Sequence, residues 1–284
     1  MKKTLNLRLR TYKKCKHEWG TFSTKGKEKR NAMVNELKNM KLNNPDMEQL
    51  RCLLIGPIGA GKSSFINSVK SVFQGYMAHG ALAAALSSKG FTNTYKTCYI
   101  RNGTNRLPFA LSDVMGLEPS EGYGIHPDDI INALKGHLPN GYKFCPLHPL
   151  TTECLEYNKH PKSSDKVHCL VNVISADKIA LMSSEVITKM KKIREKASEL
   201  EIPQVVVMTM PDKACDLVEK DVKKIYTSIV IKKKMQTCSN ELGVPVNCIL
   251  PVKNYHEEVG LDNDMDILIL NAISQIMNFA NDCI

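Results

Sequence analysis

The stretch Gly56-Pro57-Ile58-Gly59-Ala60-Gly61-Lys62-Ser63 constrains this chain more than any other. It fits G-x-x-x-x-G-K-[ST], follows directly on the apolar run Leu50–Ile55, and opens a helical pattern through Ser64-Phe65-Ile66. A strand, a glycine-rich turn and a helix in that order make a phosphate cradle, the P-loop. The glycines let backbone N–H groups turn inward on the phosphates, and the helix N-terminus adds a fixed positive field. Gly56, Gly59, Ala60, Gly61 and Ser64 are therefore expected nucleotide contacts. Lys62 is expected to reach the β- and γ-oxygens and to serve catalysis, and Ser63 to ligate Mg²⁺.

The rest of the chain fits such a loop. Short apolar runs at 50–55, 109–113, 167–175, 204–210 and 246–250, with a more polar one at 98–101, alternate with helical patterns at 62–73, 128–138, 180–200, 217–242 and 264–280. Strands alternating with helices predict a mainly parallel, six-stranded sheet covered on both faces. The short gap around Asn102-Gly103 predicts a hairpin, hence one antiparallel strand. Irregular stretches at 74–93 and 118–165 lie where ligand loops are expected. The expected organisation is a three-layer α/β P-loop domain over residues 47–284, preceded at 1–46 by a basic arm and an amphipathic helix at 27–42.

A P-loop alone does not distinguish ATP from GTP. Asp113-Val114-Met115-Gly116 ends a predicted strand and fits D-x-x-G. Asp113 would hold Mg²⁺ through water, and the Gly116 N–H would contact the γ-phosphate. Thr209-Met210-Pro211-Asp212 closes the strand at 204–210 and approximates [NT]-K-x-D, with Met210 in place of Lys. A carboxylate at Asp212 can accept from guanine N1–H and the 2-amino group, which adenine cannot offer. The alternative is that Asp212 caps the following helix. Pro251-Val252-Lys253-Asn254 follows the last strand, where backbone N–H groups, such as those of Val252 and Lys253, would reach guanine O6. These motifs point to GTP or GDP with Mg²⁺.

Charge and cysteines bound the setting. Residues 1–49 carry 13 of the chain's 39 Lys and Arg but only 5 of its 29 Asp and Glu, so the net charge of +10 sits mostly in the arm. Such an arm could touch RNA or anionic lipid, or simply be solvated. No apolar run approaches the roughly 18 residues a membrane span needs, and no secretory signal opens the chain; a cytoplasmic protein with reduced thiols is expected. Cys145, His148, Cys154 and His160 have zinc-ligand chemistry but lack paired spacing, and are read as ordinary loop residues.

From residue 53 onward the sequence resembles the GTPase domain of the interferon-induced protein 44 and 44-like proteins of vertebrates. The P-loop run through Val69, Leu107-Pro108-Phe109, Asp113-Val114-Met115-Gly116-Leu117, Leu134-Lys135-Gly136-His137, Asp165-Lys166-Val167-His168-Cys169 and Asn254-Tyr255 carry that resemblance. It implies a Ras-like fold and a cytoplasmic, interferon-induced protein of antiviral and innate immune responses. Longer members carry an N-terminal TLDc-type domain, and none of that domain's properties transfers to this chain. In the matching region Thr92 falls where the switch-I threonine that ligates Mg²⁺ and assists catalysis would lie, with Thr94 the runner-up. Leu117 stands where many GTPases place the glutamine that orients water. Hydrolysis is therefore expected to be slow, completed by a homodimer across the nucleotide face or by another partner. A nucleotide-gated scaffold with little hydrolysis is the competing reading, and an RNA- or membrane-associated protein working through residues 1–49 is a third.

Overall fold

A computed structural model describes residues 26–78 and 92–284. In chain order the elements are α1 (Gly26–Lys38), β1 (Leu50–Ile55), α2 (Lys62–Gln74), β2 (Lys96–Asn102), β3 (Asn105–Asp113), α3 (Pro127–Lys135), β4 (Cys169–Ser175), α4 (Ser184–Glu199), β5 (Gln204–Thr209), the short α5 (Pro211–Ala214) and α6 (Asp216–Lys220), α7 (Ile229–Leu242), β6 (Ile249–Pro251) and α8 (Asn263–Asn281). The six strands form one sheet in the order β2-β3-β1-β4-β5-β6. Every pair is parallel except β2 with β3, whose register runs from Lys96↔Asp113 to Asn102↔Asn105. This is the expected P-loop α/β architecture. The hairpin turns at Gly103-Thr104, one residue later than Asn102-Gly103, with Gly103 at φ 60°.

β4 is buried along its whole length and β1 almost so, because helices cover both faces of the sheet. One layer holds α8, α2 and α1; the other holds α3, α4 and α7. α8 is buried on most sides, from Met265 to Ala280, and begins where Asp262 accepts the N–H groups of Asp264 and Met265.

The sequence left the partner of the N-terminal helix open, and the structure docks α1 on α8. Val34 and Leu37 are buried there, each burial stabilising by about 1.5–3 kcal/mol. Arg30 Nε donates to Asp266 Oδ2 at 2.7 Å, and its guanidinium also donates to the Val72 carbonyl at 2.9 Å. The Tyr255 hydroxyl donates to the other Asp266 oxygen at 2.7 Å. One buried carboxylate thus joins α1, α8 and the segment after β6.

Several elements differ from the periodicity reading; α1 ends at Lys38 rather than at residue 42, and α4 begins at Ser184 rather than at 180. The helix predicted at 217–242 is broken into α6, a 3-10 turn at Val222–Tyr226, and α7. Asp221 accepts the Lys223 N–H, and Ser228 accepts the Ile231 N–H and restarts the helix; polar side chains that bond the backbone locally interrupt an otherwise helical pattern. The strand predicted at 246–250 begins as a 3-10 turn at Val246–Cys248, and only Ile249–Pro251 pairs with β5. α3 stops at Lys135 because Gly136, at φ 84°, closes it. Residues 1–25 and 79–91, which carry most of the basic arm and of the first predicted ligand loop, lie outside the described residues.

Candidate functional site

The turn after β1 is built against β4. Gly56 has φ 151°, and a Cβ there would lie 2.1 Å from the Val173 carbonyl oxygen, so only glycine fits. Lys62, the first residue of α2, is 7% exposed. Its ammonium donates to the carbonyls of Gly56 and Pro57, both at 3.0 Å. Burial lowers its pKa from 10.5 to about 8, against the opposing charge of Asp113. A desolvated ammonium inside a ring of backbone groups gains strongly from an anion placed beside it.

Ser63, Thr92 and Asp113 converge at the mouth of this turn. Ser63 Oγ donates to Asp113 Oδ2 at 2.6 Å, and Thr92 Oγ1 lies 3.4 Å from each of them. The second carboxylate oxygen, Asp113 Oδ1, is buried with no hydrogen-bond partner among the described residues. Burial raises the Asp113 pKa, while the Ser63 hydrogen bond and the Lys62 charge oppose the rise. A buried, unpaired carboxylate oxygen beside two hydroxyls suits a hard divalent cation, which takes oxygen ligands. The residues present therefore fit Mg²⁺. Thr94 is not part of this group; it bridges to Lys143 instead.

The D-x-x-G segment locks onto the P-loop. A Cβ on Gly116 would come within 2.4 Å of Ile58, so the two backbones meet at van der Waals distance. The Leu117 N–H donates to the Gly56 carbonyl at 3.0 Å, and the Leu117 side chain is buried, 1% exposed. Beside it lies a mostly apolar cleft of about 300 Å³ lined by Ile58, Leu117, Ser175 and Lys178 among others.

The segment Thr209–Asp212 is tied to the same turn. Thr209 Oγ1 donates to the Ala60 carbonyl at 2.6 Å, and Asn254 Nδ2 to the Gly61 carbonyl at 3.2 Å. Met210 takes the left-handed conformation, φ 52° and ψ 43°, rare for a non-glycine residue, and its sulfur accepts from the Ser175 hydroxyl at 3.2 Å. Pro211 follows it and starts α5, leaving Asp212 on the first turn. Asp212 does not cap that helix: its carboxylate makes no hydrogen bond among the described residues.

The segment after β6 departs from expectation. The Val252 N–H donates to the Met208 carbonyl at 2.8 Å, extending the β5–β6 ladder, and is not free to reach a base. Lys253 keeps its place, its ammonium paired with Glu258 at 2.9 Å. Burial alone would lower the Lys253 pKa, but Glu258, with Asp212 and Asp262, raises it. Asn254 belongs to the segment expected to act through backbone N–H groups, but it meets the P-loop through its side chain, and its Oδ1 is buried without a partner among the described residues. The Cys145, His148, Cys154 and His160 stretch assembles no metal-holding group among the described residues, and the described cysteines are free thiols.

No family model matches the chain. It is 36% identical over 252 residues to the interferon-induced protein 44 of Mus musculus, covering 88% of this chain and 59% of that protein. It is 36% identical over 258 residues to the human interferon-induced protein 44 and 32% identical over 260 residues to the human 44-like protein, covering 90% and 91% of this chain. The chain thus spans 57–59% of the length of these relatives. Among solved structures it superposes on a probable GTP-binding protein engB with a TM-score of 0.45 and 12% identity, over 81% of this chain and 98% of that one. With Toc33 of Arabidopsis thaliana, solved with GDP and Mg²⁺, the TM-score is 0.46 and the identity 15%, over 91% and 93% of the two chains. The resemblance carried by the motifs is borne out: over about nine-tenths of its length this chain is homologous to the interferon-induced protein 44 and 44-like proteins.

Proposed function

We propose that this chain is an interferon-induced, cytoplasmic guanine-nucleotide-binding protein that takes GTP or GDP with Mg²⁺. One observation carries the reading: the Thr209 hydrogen bond to Ala60 fixes the unengaged carboxylate of Asp212 to the phosphate cradle. Lys62 and the amides of the turn hold the phosphates, and Asp212 accepts from the guanine N1–H and 2-amino groups. Ser63, Thr92 and Asp113 would hold Mg²⁺, which when bound neutralises charge on the phosphate oxygens. A bare hydrogen-bonding carboxylate discriminates strongly, because a base that lacks the matching donors leaves it desolvated and unpaired.

Hydrolysis by a lone chain is slow in this proposal. Leu117 occupies the water-orienting position, and its buried side chain has no polar atom. Unassisted turnover is expected on the order of 10⁻⁴–10⁻² s⁻¹, as in GTPases that lack a full catalytic set. The same residue favours the second reading, a scaffold whose output is set by which nucleotide is bound. In the first reading a second copy meeting the first across the nucleotide supplies the missing polar group; in the scaffold reading hydrolysis is incidental.

Calorimetry of the purified chain with GTP, GDP and ATP in the presence of Mg²⁺ tests the assignment. GTP and GDP should bind well ahead of ATP, and Asp212→Asn should shift preference towards xanthine nucleotides by about tenfold or more. Equal or tighter ATP binding would overturn the guanine reading. A turnover rate that rises with protein concentration separates the slow enzyme from the scaffold. Transcript levels after interferon treatment and imaging of the tagged chain test induction and cytoplasmic location.

A further inference from the structure

β4 delivers a second cation to the P-loop, from a direction that the motif residues do not use. Past Ser175 the chain makes a tight turn: the Ala176 N–H donates to the Thr209 carbonyl at 2.8 Å and the Lys178 N–H to the Ser175 carbonyl at 3.3 Å. The Ser175 hydroxyl bonds the Asp177 carboxylate and the Met210 sulfur, which ties the turn to the base-reading segment. This fixes the backbone of Lys178 and sends its side chain over the P-loop. Lys178 Nζ stands 4.0 Å from where a Cβ on Gly59 would be. Gly59 carries no side chain and has φ 74°, so nothing stands between the ammonium and the loop backbone. Among the described residues the Lys178 ammonium makes no ion pair and no hydrogen bond, and the neighbouring Asp177 is engaged by Ser175. Lys62 approaches from inside the turn and is buried against two carbonyls, whereas Lys178 approaches from the solvent side. The base-reading segment has Met210 where its signature has lysine, and lacks that cation.

Resting on the guanine-nucleotide reading above, we infer that Lys178 is a phosphate-binding residue of this site. It contacts the polyphosphate over Gly59. A polyphosphate is the ligand that fits, because one ammonium buried in the turn and a second, exposed one beside Gly59 match several adjacent anionic oxygens. A base or ribose offers no such charge. The contact is partly solvated, so it is weaker than that of Lys62 and sensitive to salt.

Calorimetry with Mg²⁺ and GTP, GDP or GMP on wild type, Lys178→Ala and Lys178→Arg tests this. Lys178→Ala should weaken GTP and GDP by about three- to tenfold, the range of a partly exposed charge-assisted contact. GMP should be affected less, raised salt should narrow the gap, and Lys178→Arg should restore affinity. The melting temperature of the nucleotide-free chain should stay unchanged, since the side chain is exposed. Wild-type affinity for GTP and GDP in Lys178→Ala overturns the assignment, and so does an equal loss for all three nucleotides, which would mean a distorted loop. A wild-type chain that binds no guanine nucleotide overturns instead the reading on which the inference rests, and the inference with it.

Discussion

The phosphate half and the base half of the candidate site are held together by two hydrogen bonds, yet they depart from their signatures to different degrees. In the phosphate half every expected side chain meets: Lys62 in the turn, and Ser63, Thr92 and Asp113 within 3.4 Å of one another. In the base half Asp212 lies on the first turn after β5, but Met210 replaces lysine and the Val252 amide is used by the sheet. The contrast is one of tolerance. A phosphate cradle is made of backbone, and Gly56 shows that no side chain fits there. Cover over a base is mostly apolar contact, which a methionine stem can supply without an ammonium. The phosphate half therefore resists change, and the base half accepts it.

The largest effect should come from Lys62→Ala. A buried charge-assisted contact is worth about 1.5–3 kcal/mol, or roughly 10–150-fold in GTP affinity. The nucleotide-free variant should melt no lower than wild type, because burying the ammonium already costs the apo chain, as its lowered pKa of about 8 indicates. Unchanged GTP affinity would sink the phosphate-half reading.

Proton linkage gives the next test. In the free chain burial holds Lys62 at about 8, below its ordinary 10.5, so above pH 8 an increasing fraction is neutral. Bound phosphates favour the ammonium and raise that value, so nucleotide binding takes up a proton as the pH passes 8. Affinity should fall with rising pH and be about tenfold weaker at pH 9 than at pH 7. Calorimetry at pH 8.5 in buffers of different ionisation enthalpy should show the uptake in wild type and not in Lys62→Ala. A flat profile from pH 7 to pH 9 would place the ammonium outside the site.

The two halves also differ in how far the sequence reveals them. The P-loop and D-x-x-G were legible because each is a contiguous run whose glycines answer a steric demand, seen at Gly56 and Gly116. β1, β3, β4 and β5 were legible as apolar runs, since buried parallel strands carry little else. The side-chain contact of Asn254 and the place of Lys178 were not legible. Each reaches the P-loop from a distant segment, and only the sheet order that sets β4 beside β1 brings Lys178 to Gly59. The use of the Val252 amide was hidden for a similar reason: β6 pairs with β5 over only three residues, and the next N–H continues the ladder. The broken helix at 217–242 shows the limit of periodicity, which counts apolar positions and misses the local capping by Asp221 and Ser228.

The smallest effect, and the sharpest test of the comparison, is Met210→Lys. If methionine already supplies the apolar part of the cover, restoring the signature residue adds only the ammonium over an aromatic base. Such a cation–π contact at a partly exposed site is worth about 0.5–1 kcal/mol, a two- to fivefold gain in GTP affinity. Lysine must also adopt the left-handed backbone that Met210 already occupies, so this strain is the same in both. The Ser175 hydroxyl loses its sulfur acceptor but keeps Asp177. GTP and GDP should gain equally, because the change acts on the base and not on the phosphates. A gain confined to GTP would place the new ammonium over the phosphates and remove the distinction between the halves. A gain of a hundredfold would mean that Met210 contributes no cover and that the base half is damaged rather than tolerant.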